Sequence, residues 1–209
     1  MERLEHHSQE DAMHERPLQD QGASLTKAHK EKGYTIDSDD ALDPEYMRLK
    51  TELLSGKVSA EKVLARLTEL DQSSLDRGYS TSNLKFLQDA DILDLVDSSP
   101  NNRPGYYGFL SFTQVHVAQG MLSQNKIPEG VRLFEKAYDN AVAVGNPSNE
   151  DWRIYLRGTL LYLSGNTMGL EVCIRNIKSP NNKEVLERFL QGLQTRGTAN
   201  YKKDYFGVA

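Results

Sequence analysis

Apolar residues recur along this chain at spacings of three and four, the period of a helix buried on one face. Tyr46, Leu49, Leu53 and Leu54 make the first such stripe, and Val63, Leu64, Leu67 and Leu70 the second. Leu84, Leu87, Ala90, Leu93 and Val96 predict a third helix over 83–97. From Tyr106 the pattern runs through Leu110, Val117, Met121 and Leu122, then Val131, Phe134, Tyr138, Ala141 and Val142. Trp152, Tyr155, Leu156, Leu160 and Leu163 follow, then Leu170, Ile174 and Ile177, and lastly Val185, Leu186, Phe189, Leu190 and Leu193 over 183–195. Alternation by two is confined to short stretches such as Val115-His116-Val117 inside longer helical windows. A strand hairpin within 104–117 is the one place where an all-helical reading is exposed to failure.

Punctuation supports the same division. Asp43-Pro44, Ser59, Pro128 and Ser148 with Asp151 are helix-start signals. Gly56, Gly145-Asn146-Pro147, Gly165 and Gly197 are stops. Residues 71–82 (DQSSLDRGYSTS) and 98–105 (SSPNNRPG) read as polar breaks, and Ser179-Pro180 as the end of the helix before it. The expected fold is all-α: stacked antiparallel helical hairpins over 43–196, between an arm of 1–42 and a tail of 197–209.

The arm differs from the rest in composition. Residues 1–45 hold 12 acids and 5 bases, a net of −7 against −5 for the whole chain, so the remainder carries +2. Its apolar residues are too sparse to offset chain entropy by burial, and no fixed structure is expected of it. Four of five histidines (His6, His7, His14, His29) lie in it, without the preorganised geometry that a metal site needs. Asp37, Asp39, Asp40 and Asp43 lack the spacing of a calcium loop and read as a solvated acidic linker. Asp89, Asp91, Asp94 and Asp97 read as the wet face of one helix.

Three segments resemble one another: Leu53-Leu54-Ser55-Gly56, Met121-Leu122-Ser123-Gln124 and Tyr162-Leu163-Ser164-Gly165. Their serines are 68 and 41 residues apart, the first interval being twice 34. Each ends one helix just before another, and a pair of short helices buries both apolar stripes only by stacking on a neighbouring pair. Segments 112–144 and 150–178 resemble tetratricopeptide-type repeats. Gly130, Phe134 and Ala137 match the small–aromatic–small spacing of that family's second helix. Gly158 and Gly165 match small residues of its first helix and turn, while Leu170, Ile174 and Ile177 replace the second-helix set. Gln114 and Arg157 stand where the family keeps apolar residues. The resemblance implies a non-enzymatic scaffold that holds a peptide or partner helix, with Gln119, Trp152, Tyr155 and Tyr162 facing the groove. The alternative reading of these aromatics is inter-helix core.

Candidate chemistry is thin. No phosphate loop, nucleophile elbow, H-E-x-x-H or C-x-x-C occurs, so neither cofactor nor metal is expected. An enzyme with a carboxylate pair brought together only in space is the remaining catalytic reading. Cys173 and His116 read as core residues, and a single cysteine suits a reducing compartment such as the cytoplasm. No run approaches the ~20 apolar residues of a membrane span. A nucleic-acid reading rests on Arg153, Arg157, Arg175, Lys178, Lys202 and Lys203, with Tyr201, Tyr205 and Phe206 interleaving bases and rings as single-strand binders do; docking of Tyr205 and Phe206 on the last helix, or capture by a partner, is the alternative. The 183–195 helix serves either as a cap or as a contact between copies. Deleting residues 1–40 is expected to leave the thermal melt within about 2 °C of the full chain, since no core residue is assigned to them.

Overall fold

The computed structural model describes residues 44–74, 82–145 and 149–207. The readings of the arm, its histidines and acids, and the caps at Asp43 and Ser148 lie outside them. The described residues hold ten helices and no strand: α1 Pro44–Leu54, α2 Ala60–Ser74, α3 Ser82–Leu87, α4 Ala90–Asp97, α5 Arg103–Ser123, α6 Ile127–Ala143, α7 Glu150–Leu163, α8 Thr167–Asn176, α9 Pro180–Arg196 and α10 Tyr201–Phe206. The fold is all-α, and the stretch 104–117 is helix.

Helix α5 organises the rest. Its residues 108–120 are all buried, far more than the four-residue stripe read from sequence. Helices α2, α3 and α4 pack against its first part, and α1 packs on α2, α3 and α4. Helix α6 returns antiparallel along α5, and α7, α8 and α9 continue from it. Two apolar clusters result. One gathers Leu49, Leu67, Phe86, Ile92 and Tyr106 around the start of α5. The other gathers Phe134, Leu156, Tyr162, Leu186 and Phe189. Leu133 and Trp152 pack against both, so the clusters meet across α5.

Three turns share one backbone pattern. Gly56, Asn125 and Gly165 adopt positive φ of 71°, 63° and 75°. In each, the preceding N–H donates four residues back, to Thr51, Gly120 and Leu160. The following N–H donates five back, to Glu52, Met121 and Leu161. These are left-handed helix stops, cheap for glycine and tolerated by asparagine. The true register therefore pairs Gln124, not Ser123, with Ser55 and Ser164. The intervals become 69 and 40 residues, and the doubling of 34 disappears.

Other boundaries move for local reasons. The helix expected over 83–97 is two, α3 and α4. Asp89 breaks it with extended backbone (φ −64°, ψ 128°), and its carboxylate accepts from the Asp91 N–H. Asp89 is not on a wet face: Lys50 Nζ donates to it at 2.6 Å, across to α1. Helix α5 starts at Arg103 rather than Tyr106, because Pro104 suits a first turn as readily as a break. Likewise Pro180 opens α9 instead of closing α8. There the buried Asp151 carboxylate of α7 accepts from the N–H groups of Lys178 (3.0 Å) and Ser179 (2.7 Å). Ser59 holds its expected place, accepting from Lys62 N–H at 3.4 Å.

Close helix approach is set by glycine. A Cβ on Gly130 would lie 2.6 Å from Leu122 Cγ and 3.2 Å from the Ala118 carbonyl oxygen. One on Gly105, near the start of α5, would meet only Leu64 Cδ1 at 3.8 Å. Gly130→Ala is therefore expected to lose about 1 kcal/mol net, the overpacking exceeding the helix-propensity gain. Gly105→Ala is expected to gain about 0.5 kcal/mol. Urea unfolding of the two variants beside wild type checks the pair of signs.

Candidate functional site

The candidate partner-facing residues do converge, but on a face already covered. Gln119 of α5, Tyr155 of α7 and Tyr162 of α7 are 3%, 3% and 0% exposed. Their cover is α10, which packs on α9 and on α5. The first part of the 197–209 tail thus docks on α9, the alternative read for Tyr205 and Phe206. Helical period explains why. Tyr201, Asp204 and Tyr205 stand three and four apart and share one face, which is buried with Phe206, while Lys202 and Lys203 are exposed. What read as rings interleaved with bases is an amphipathic turn and a half. Its rings are consequently withheld from stacking on nucleobases.

The seat of α10 combines rings with one buried charge. Tyr162 stacks on Phe189 with centroids 4.1 Å apart, and Tyr201 stacks on Tyr205 at 5.1 Å. Tyr201 also meets Phe189 at 5.5 Å and Phe134 at 6.2 Å. Among these rings lies the Asp204 carboxylate, 7% exposed as a residue. It accepts from the Tyr162 hydroxyl at 2.5 Å and from the Arg196 guanidinium at the end of α9. The Tyr162 oxygen in turn accepts from Asn200 N–H at 2.7 Å. A buried carboxylate is tolerated when such partners satisfy it. Room for it comes from Gly192, where any Cβ would overlap the Asp204 side chain. Asn200 caps α10, accepting from Lys203 N–H at 3.1 Å, and Gly207 stops it at φ 69°.

Burial raises the Tyr162 phenol well above its ordinary value, with the Asp204 carboxylate as the next cause. Tyr155 is raised chiefly by burial, with the Tyr205 hydroxyl also acting on it. Burial likewise raises Tyr106, whose hydroxyl donates to the Leu87 carbonyl at 2.7 Å.

Beside α10 the face is open. A cleft of about 540 Å³ lies where the α5–α6 turn, the α7–α8 turn and the α9–α10 link come together. Leu122, Ile127 and Leu163 supply apolar lining, and Ser123, Asn125, Ser164, Asn200 and Lys202 supply polar groups. Sequence reasoning picked out the turns but not the cleft, since their nearness is tertiary.

Trp152 is half-buried. It donates through Nε1 to Ser111 Oγ at 3.0 Å and stacks on Tyr155 at 5.5 Å, which places it in the inter-helix packing. Of the basic set, Arg157, Arg175, Lys178, Lys202 and Lys203 are exposed and Arg153 partly so. Arg153 and Arg157 share a face of α7 one turn apart. Cys173 is buried and its thiol pushed up by that burial, as suits a core position. His116 is buried, with its ring 4.1 Å from Phe112. Among the described residues no group of three or more His, Cys, Asp or Glu side chains could hold a metal ion. No helix there is long and apolar enough to cross a membrane.

The signal that could have exposed the seat was Tyr201-x-x-Asp204-Tyr205, an acid framed by aromatics at helical spacing. Asp204, Arg196 and Gly192 were missed because an acid and a base eight residues apart show nothing of their pairing. No family model, curated protein or solved structure matches this chain.

The raised phenols give a pH dependence whose sign is fixed. In the unfolded chain tyrosine ionises near pH 10, whereas Tyr106, Tyr155 and Tyr162 stay protonated above that in the folded chain. Their contribution is complete below pH 10 and is lost as pH rises past it. Urea midpoints measured from pH 8 to 11.5 should hold level to about 10 and then fall. Absorbance at 295 nm should show these phenols ionising only as the protein unfolds.

Proposed function

We propose that this protein is a non-enzymatic interaction scaffold that binds a peptide or a partner helix along the face formed by α5, α7 and α9. The observation that carries this reading is the open cleft continuing that face beyond α10. Its mixture of apolar floor and polar rim suits a peptide, which presents side chains and unpaired backbone groups together. The shared turn pattern and the small residues at Ala118, Gly130 and Gly158 support a tetratricopeptide-like arrangement of the hairpins α5–α6 and α7–α8. The free, buried Cys173 suits a reducing compartment, and the cytoplasm is the compartment we assign.

Ile127, 39% exposed, and Ser164, exposed at the α7–α8 turn, can be changed without entering the core. Ile127→Glu places a charge on the cleft floor, and Ser164→Trp fills its mouth. Affinity capture with mass spectrometry is expected to recover, with wild type, partners that both variants lose. Circular dichroism should show both variants folded. Equal recovery by all three proteins would remove the cleft from the partner interface.

A further inference from the structure

We infer that α10 is a resident ligand, and that the partner of this face is a short helical segment carrying an acid framed by aromatic rings. The inference rests on the scaffold reading above and names the chemistry of its partner.

The groups that receive Asp204 and its flanking rings stand on α6, α7 and α9, apart from the Asn200 N–H in the link. Gly192 leaves the space, Arg196 supplies the cation, Tyr162 supplies a hydroxyl donor, and Phe189 and Phe134 supply rings. The site therefore recognises a pattern, and α10 is the copy of that pattern carried by the chain. A six-residue helix has no stability of its own. What holds α10 is the seat, so its helical form and its docking come and go together. Its link to α9 is short and begins at Gly197, φ 75°, with Gly197 and Thr198 exposed. That link permits release without disturbing α9.

Charge selects the occupant. The guanidinium of Arg196 meets a carboxylate in a space that glycine alone leaves open, so a neutral or longer side chain in place of the aspartate loses the pairing. The adjoining cleft gives a longer segment an advantage. Asn200, Tyr201 and Lys202 line the cleft, so a partner continuing beyond the equivalent of α10 gains Leu122, Ile127 and Leu163. Against this stands the tether, which gives α10 an effective concentration of about millimolar. In the free protein the cis helix covers the rings, and only a partner with more contacts displaces it.

The test uses the full chain with Asp204→Ser and Tyr205→Ser, which weakens the resident helix and leaves its seat intact. A fluorescently labelled peptide of residues 197–207 is titrated against it by anisotropy. Affinity at least ten-fold tighter than for the wild-type chain is expected. A peptide carrying Asp204→Asn should bind at least ten-fold more weakly, and adding Gly192→Ala to the receptor should abolish binding. No binding to a double variant that circular dichroism shows to be folded overturns the inference, as does equal affinity for the two peptides. A wild-type dimer that Gly192→Ala dissolves also overturns it, by making a second copy the occupant.

Hydrogen exchange on the unaltered protein decides the point should the double variant unfold. Amides of α10 are expected to exchange at least ten-fold faster than those of α5 and α7. Equal protection would mean that α10 leaves only on global unfolding, and would overturn the inference. Peptide failure combined with partner loss in Ile127→Glu and Ser164→Trp defeats this inference and leaves the scaffold reading standing. Peptide binding with no effect of those two variants keeps this inference and removes only the cleft from the partner interface.

Discussion

Helix α5 is buried around its whole circumference over 108–120, and that burial includes five polar side chains: Ser111, Thr113, Gln114, His116 and Gln119. A hidden polar group costs on the order of 1–3 kcal/mol unless it is bonded. The neighbours of α5 are arranged to meet much of that demand. Ser111 donates to the Ala137 carbonyl at 2.7 Å and accepts from Trp152, tying α5 to α6 and α7 at one point. Gln114 accepts from Asn140 at 2.9 Å, holding α6 in register one turn further on. Gln119 lies at the Tyr155 hydroxyl, where α10 arrives. Polar spacing along one helix thus fixes where three others sit.

The same logic, with a full charge, governs the C-terminal end. Asp204 brings a carboxylate into a cluster of rings, a placement that is unfavourable until Arg196, Tyr162 and Asn200 are all in position. Satisfying it requires α7, α9 and α10 simultaneously, and Gly192 must remain without a side chain. A site built this way is selective for its own helix: the contacts that make α10 fit require an aspartate at that place, which apolar burial alone would not. The stability of this end is therefore expressed in those few side chains.

Much of the architecture was legible because helix formation is local. The stripes led by Tyr46, Trp152 and Val185 fell where α1, α7 and α9 stand, and Gly56, Gly165 and Gly197 stopped helices as read. Errors arose where one residue type serves two local ends. Proline opens a helix as well as following one, so Pro104 and Pro180 moved two boundaries. Asp89 caps a helix as well as facing water, so one helix became two. The serine alignment slipped by a position because the turn is defined by the left-handed residue, and Asn125 holds that place without being glycine.

The sequence by itself determined the helices, most of their ends and the all-α class, since a backbone bond from residue i to i−4 and a repeating apolar face are properties of a short window. The repeat resemblance set Gln119, Trp152, Tyr155 and Tyr162 on one face, with inter-helix core as the other reading. Only the tertiary structure decided what lies on that face. Whether Tyr155 and Tyr162 meet solvent, a partner or the chain's own Tyr205 and Asp204 depends on segments 38 to 50 residues distant. Burial is a pairwise property of surfaces, and no periodicity within either segment records which surface the other will find.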